Sequence, residues 1–253
     1  MATTKIALVT GGSRGLGKDM ALSLARKGND VILTYRTNKN EAEKVVQEIK
    51  ELGQKSVALS LDMSKFQSLD GFVKSVSETL STEWNTNSFD YLINNAGMGA
   101  TVPFAQVTEE LFDEFLNVHF KGIYFLTQKL LPHLNDRGSI INISTGTTRF
   151  SNPGYSVYAS MKGAIEVFTR YLAKELGAKG IRANVVAPGP IETDFNSAAI
   201  RNNPQMKERL SSLSPLGRVG KAEDIGGVVA FLCTDEASWI NGQRIEVSGG
   251  INQ

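Results

Sequence analysis

The stretch Lys5-Ile-Ala-Leu-Val-Thr10-Gly11-Gly12-Ser13-Arg14-Gly15-Leu16-Gly17 decides the fold. Its first half is a short apolar, β-branched run that reads as a buried strand, and the helical periodicity from Leu16 to Lys27 reads as a helix laid against it. Glycines between the two permit a tight turn. They also let backbone N–H groups approach a pyrophosphate at the positive end of the helix. A glycine triplet alone equally serves a helix-capping turn packed close to a strand; strand before, helix after is the context the phosphate reading needs. The spacing of Gly11, Gly15 and Gly17 is G-x-x-x-G-x-G rather than G-x-G-x-x-G. Contacts to a dinucleotide are expected from Gly11, Ser13, Arg14, Gly15, Leu16 and Gly17.

Outward from this unit the pattern repeats. Apolar runs at 31–35, 56–61, 91–94, 139–144, 181–187 and 244–247 read as further strands, and 41–52, 66–80, 109–134 and 157–179 carry helical periodicity. Strand alternating with helix implies right-handed βαβ crossovers, so the expected architecture is α/β: a doubly wound parallel sheet in a three-layer αβα sandwich. No linker or low-complexity tract divides the chain, and residues 1–253 read as a single NAD(P)-binding domain. The segment 192–216 breaks the rhythm with Pro204, Pro215 and scattered apolar residues. It reads either as a partly helical lid over a site or as an irregular surface insertion.

Composition excludes several function classes. The 27 Lys plus Arg nearly balance 26 Asp plus Glu, a formal charge of +1, which argues against a nucleic-acid or anionic-membrane partner. The single cysteine, Cys233, has no internal partner for a disulfide. The N-terminus enters the first strand without a basic leader or long apolar stretch, and no span-length apolar run follows, so a soluble cytoplasmic protein is expected.

The second strand bears on the cofactor. In dinucleotide-binding folds its end usually carries an acid that binds the adenosine ribose of NAD. Here it ends Leu33-Thr34-Tyr35-Arg36, with no acid before Glu41. An acid repels a 2′-phosphate, whereas Arg14 and Arg36 suit one. The expected cofactor is therefore NADP(H) rather than NAD(H), with Tyr35 and Arg36 beside the adenosine.

The strand ending Ile143-Ser144-Thr145 is followed by a helix holding Tyr158-Ala-Ser-Met-Lys162, whose four-residue spacing puts Tyr158 and Lys162 on one face. Tyr35 and Lys39 share that spacing, and position separates the pairs: in open α/β sheets ligands sit beyond the carboxyl ends of the strands. A tyrosine can protonate a carbonyl oxygen that receives hydride. Lowering its pKa from about 10 toward neutrality requires about 4 kcal/mol. An ammonium about 4 Å away at an effective dielectric near 20 supplies about that much. Lys162 alone is thus expected to suffice.

These residues resemble the short-chain dehydrogenase/reductase family, and in particular its single-domain carbonyl reductases similar to 3-oxoacyl-ACP reductases. The likeness runs over essentially the whole chain. It comprises the glycine turn, Asp62-Met63, Asn94-Asn95-Ala96-Gly97, Tyr158 to Lys162, Pro188-Gly189-Pro190-Ile191-Glu192-Thr193, Gly242-Gln243 and Gly249-Gly250. The resemblance implies a Rossmann fold and NAD(P)-dependent carbonyl reduction or alcohol oxidation. It implies Asp62 and Met63 by the adenine, Asn95, Ala96 and Gly97 by the adenosine ribose, and Pro188, Gly189, Ile191 and Thr193 by the nicotinamide. Lys162 would also hold the nicotinamide ribose, and a homotetramer would be the assembly.

Two positions depart from the family. The serine usually thirteen residues before the tyrosine is Thr145, which keeps the hydroxyl and stiffens χ1; Ser144, adjacent on the strand, should face the other way. His119 stands where the family has an asparagine supporting a water relay to the lysine. Its imidazole either joins that relay or is simply a packed histidine, and Asn117 is the rival position if the alignment slips. The reading is an NADP-dependent ketone reductase with Tyr158 as general acid/base, Lys162, Thr145 and His119 around it, no metal, and a small-molecule carbonyl or alcohol as partner. The alternatives are a catalytically impaired NADP-binding regulator and an epimerase or dehydratase on the same fold. Phe104, Phe150, Tyr155, Phe195 and Met206 are expected to overhang the nicotinamide and favour an apolar substrate.

Overall fold

A computed structural model describes residues 4–252. Seven strands, β1 (Ile6–Val9), β2 (Asp30–Tyr35), β3 (Ser56–Ser60), β4 (Phe89–Asn94), β5 (Leu134–Ile143), β6 (Arg182–Pro188) and β7 (Arg244–Val247), form one sheet in the order β3-β2-β1-β4-β5-β6-β7. Every pairing is parallel. The chain starts in the middle, winds outward through β2 and β3, then crosses back to β4, so β1 and β4 flank the topological switch point where open α/β sheets bind ligands.

Helices α1 (Gly15–Arg26), α2 (Lys39–Glu51), α3 (Leu69–Trp84), α4 (Glu109–Leu116), α5 (Gly122–Leu130), α6 (Ser156–Leu176), α7 (Phe195–Asn202), α8 (Pro204–Ser212) and α9 (Glu223–Leu232) complete the chain. Alternate residues of each strand enter opposite apolar layers. Ala7, Val9, Val31 and Leu33 pack beneath α1, α2 and α9 with Met20, Leu24 and Val229. Ile6, Leu8, Ile32 and Ile140 face Phe72, Leu126 and Ile165 of α3, α5 and α6. The expected three-layer sandwich is thus observed. Among the described residues no helix is long and apolar enough to cross a membrane.

Two expectations are sharpened. The periodic stretch 109–134 is helical to His133 but not uniformly α: a π-helical turn over Asn117–Lys121 joins α4 to α5, and Pro132 ends the run in a 3₁₀ turn before Leu134 opens β5. The segment 192–216 is largely helical, not irregular. Pro204 occupies the first turn of α8, which is N-capped by Asn203 Oδ1 accepting from the Met206 N–H at 2.9 Å.

A buried polar line fixes α6 against the sheet. Asn94 Nδ2 donates to Asn142 Oδ1 at 2.8 Å, and Asn142 Nδ2 donates to Thr169 Oγ1 at 2.8 Å. Strand ends and the helix that follows β5 are therefore registered by directional bonds as well as by apolar packing.

Candidate active site

The turn after β1 is built from backbone. Gly11 and Gly15 have φ of 67° and 55°, conformations costly for other residues. A Cβ on Gly17 would run into the Gly11 carbonyl oxygen, so only glycine lets α1 start this close to the turn. Asn95 Nδ2 donates to the carbonyls of Thr10 and Gly11 at 2.9 and 3.2 Å, while Thr10 Oγ1 accepts from the N–H groups of Asn95 and Ala96. The turns after β1 and β4 are thereby locked across the switch point.

This cradle fits a dinucleotide. No side chain caps the first turn of α1, and that turn carries no acidic residue, leaving its N-terminus available to a pyrophosphate. Thr193 faces Gly15 across the gap. Arg14 and Arg36 are exposed at the carboxyl ends of β1 and β2, with Tyr35 half-buried beside them and Met63 buried after β3. Burial pushes the Asp62 carboxyl up, but bonds from the Ser64 N–H and hydroxyl, with the charges of Arg36 and Lys65, outweigh it and hold Asp62 below its ordinary value. Pro188 ends β6, the Gly189 N–H donates to Val247 O at 3.0 Å, and Ile191 bridges to Gly220.

Beyond β5 the expected catalytic side chains converge. Thr145 is extended (φ −160°, ψ 155°), and its hydroxyl lies near enough to the Tyr158 phenol to act on its acidity. Ser144 points away, donating to Glu166 Oε1 at 2.6 Å. Lys162, one turn past Tyr158 on α6, is buried and donates to the Ile143 carbonyl at 2.7 Å. Its Nζ lies 5.7 Å from the Tyr158 ring centre.

The expected lowering of Tyr158 by Lys162 is not met. Burial raises the phenol above its ordinary value; the Thr145 hydroxyl acts in the opposite sense but is outweighed, and Tyr155 adds to the rise. The ammonium is tied to a main-chain carbonyl, and burial pulls Lys162 itself down to about 8. At neutral pH the site therefore holds a neutral phenol beside a largely cationic lysine, the proton distribution required of an acid rather than a base.

His119 lies in the π-helical turn and is 0% exposed. Its ring meets Tyr158 edge-on at 5.1 Å and lies 5.3 Å from Phe115. Nε2 lies 2.8 Å from the Met98 carbonyl and 3.3 Å from the Met98 N–H, and Nδ1 is buried without a partner among the described residues. Burial, then the charge of Lys162, hold the imidazole well below its ordinary pKa, so it is neutral. A Cβ on Gly97 would come within 2.9 Å of the His119 ring, so this histidine needs glycine in the turn after β4. Asn117 opens the π turn, its carbonyl accepting from the Gly122 N–H.

Of the aromatic residues expected over the site, Tyr155 and Phe195 stand 6.4 and 6.0 Å from the Tyr158 ring. Asn196 Nδ2 ties the start of α7 to Thr101 Oγ1 at 3.1 Å and Tyr155 OH at 3.4 Å. Phe104 is 83% exposed, and Phe150 packs on Gly146 and beneath Arg149 instead. Sequence reasoning missed Phe115, a buried neighbour of Tyr158 at 6.4 Å. It also missed Glu166 and Arg244, whose signals were the four-residue step after Lys162 and the charged alternation Arg244, Glu246 on β7. A groove of about 530 Å³ between α2 and β3 lies at the sheet edge, on the amino-terminal side of β3 and away from this chemistry.

The family model described as enoyl-(acyl carrier protein) reductase matches residues 11–252. The 3-oxoacyl-[acyl-carrier-protein] reductase FabG of Staphylococcus aureus is 36% identical over 253 residues, covering 99% of each chain. The angucycline C-6 ketoreductase LanV, solved with bound NADP, superposes with a TM-score of 0.93 at 35% identity, over 97% of this chain and 95% of that one. The same enzyme with bound NADP and rabelomycin gives a TM-score of 0.90 at 34% identity, over 98% and 96%.

Proposed function

Because the chain belongs to the short-chain dehydrogenase/reductase family of oxidoreductases, we propose that it is an NADPH-dependent ketone reductase acting on apolar carbonyl compounds. The observation that carries this reading is the meeting of the Tyr158 phenol, the Thr145 hydroxyl and the Lys162 ammonium beyond β5, beside a glycine cradle with an uncapped helix N-terminus. The nicotinamide, when bound, supplies the hydride. The turn from Gly11 to Gly17 would hold the pyrophosphate, Arg14 and Arg36 would take the 2′-phosphate, and Asn95 to Gly97 with Pro188 to Thr193 would line the rest.

Thr145 and Tyr158 grip the substrate oxygen together, and Tyr158 donates the proton as negative charge develops there. A phenol held neutral by burial can donate the proton that reduction requires. Lys162 keeps a positive charge behind that oxygen. His119 serves as a neutral buttress against the Tyr158 ring. Tyr155 and Phe195 supply apolar walls, with the segment 192–216 as lid, which suits a ketone carried on a ring system. Apolar surface on Phe112, Tyr124, Val167 and Tyr171 of α4, α5 and α6 suits the homotetramer proposed alongside this reading.

The test is NADPH absorbance against a panel of aromatic ring ketones, 3-oxoacyl thioesters and sugars. Stoichiometric loss of NADPH with the ring ketones is expected; cofactor binding without turnover of any carbonyl overturns the reading. Thr145→Val should lower turnover far more than Ser144→Ala.

A further inference from the structure

Tyr158, Lys162 and Glu166 succeed one another at four-residue steps along one face of α6. Glu166 lies beyond the reacting groups, yet its Oε1 draws three donors from two other elements. Ser144 Oγ donates at 2.6 Å, Thr148 Oγ1 lies at 2.7 Å, and Arg244 Nε donates at 2.9 Å. Arg244 also holds the Thr145 carbonyl, Nη2 donating to it at 3.1 Å, and Thr148 Oγ1 lies 2.9 Å from that carbonyl. Thr148 has one hydroxyl proton for two acceptors, and the shorter, charge-assisted contact to Glu166 takes it. Arg244 is held in turn by Glu246 at 2.9 Å, and Glu246 accepts both arms of Arg149 at 2.7 and 2.8 Å.

Residues on both sides of Thr145, and its own carbonyl, are therefore fastened to a carboxylate on the helix that carries Tyr158. Within its own turn the Thr145 hydroxyl meets the Thr147 N–H at 3.3 Å and the Thr147 hydroxyl at 3.2 Å. We propose that Glu166 is a positioning residue for the reaction: through Ser144, Thr148 and Arg244 it sets the Thr145 hydroxyl against the Tyr158 phenol. This rests on the reading of Tyr158 and Thr145 above and adds a residue to it.

A double-mutant cycle between Glu166→Gln and Thr145→Ala tests the proposal. Glu166→Gln keeps the shape and removes the charge; kcat should fall about tenfold, with KM for NADPH unchanged. In the Thr145→Ala background the same substitution should cost nothing further, because the hydroxyl it positions is gone. A second readout needs no turnover: with tyrosine labelled at 13Cζ, the Tyr158 resonance, assigned through Tyr158→Phe, should move in the same direction in Thr145→Ala and in Glu166→Gln. Multiplicative losses in kcat, or a Tyr158 resonance moved by Thr145→Ala but untouched by Glu166→Gln, overturn the proposal. Should Glu166→Gln fail to fold, Ser144→Ala removes one donor and takes its place in the cycle. A wild-type protein that reduces no ketone defeats the reading of the reaction alone, and the resonance still decides the role of Glu166.

Discussion

The two halves of the site are held in different ways. The cradle beyond β1 and β4 is backbone and neutral amide: glycine turns, the Asn95 side chain on two carbonyls, Thr10 beneath two N–H groups. The wall beyond β5 is side chain and charge, a row of Glu166, Arg244, Glu246 and Arg149 gripping the loop that bears Thr145. A cradle of backbone has nothing to titrate and tolerates no added atom. A wall of charges accommodates changes of shape but answers to pH.

The largest expected effect separates chemistry from binding. Tyr158→Phe should lower kcat about a thousandfold, while NADPH affinity measured by fluorescence stays as in the parent. A comparable loss of affinity would merge the two halves and break the comparison. Next comes Gly17→Ala, whose methyl would meet the Gly11 carbonyl; it should cost about 3 kcal/mol in a denaturant titration at any pH, because no ionisable group is involved.

The wall should behave otherwise. Bonds from Arg149, against the opposing effect of burial, bring Glu246 from 4.5 down to about 2. A depressed carboxylate pKa adds stability that is complete above the unfolded value and disappears as pH falls through the folded one. Discounted for its remaining solvent contact, that contribution is about 2 kcal/mol. Acid titration of the parent should show this loss between pH 4.5 and 2, and Glu246→Gln should lack it; identical acid limbs would show that the charges do not hold the wall. The smallest effect falls at the rim of the cradle: Arg36→Ala should raise KM for NADPH about tenfold and leave KM for NADH nearly unchanged, and equal changes for both would remove Arg36 from the 2′-phosphate.

Much of the fold was legible because it is written locally. β1, the glycine turn and α1 lie within one short stretch, and period-two and period-3.6 patterns marked most other elements where they are found. The break at Asn117–Lys121 was not, since the apolar periodicity passes through a π turn without interruption. Tyr158 and Lys162 were readable as a helical pair next to a strand-end hydroxyl. Their proton balance was not, because charge spacing along a helix says nothing of how far burial raises a phenol or of the carbonyl that claims the ammonium.

The sequence by itself determined the parallel α/β sheet, the cradle and the alignment of Tyr158, Lys162 and Thr145, because each depends on residues a few positions apart or on a repeated pattern. Only the tertiary structure decided that Glu166 on α6, Arg244 and Glu246 on β7 and Arg149 after β5 form one clamp. Those residues span 97 positions between Arg149 and Glu246. They meet because β5, β6 and β7 lie side by side with their carboxyl ends together, and a charged side chain acquires its partner from where the strands end, not from its neighbours in the chain.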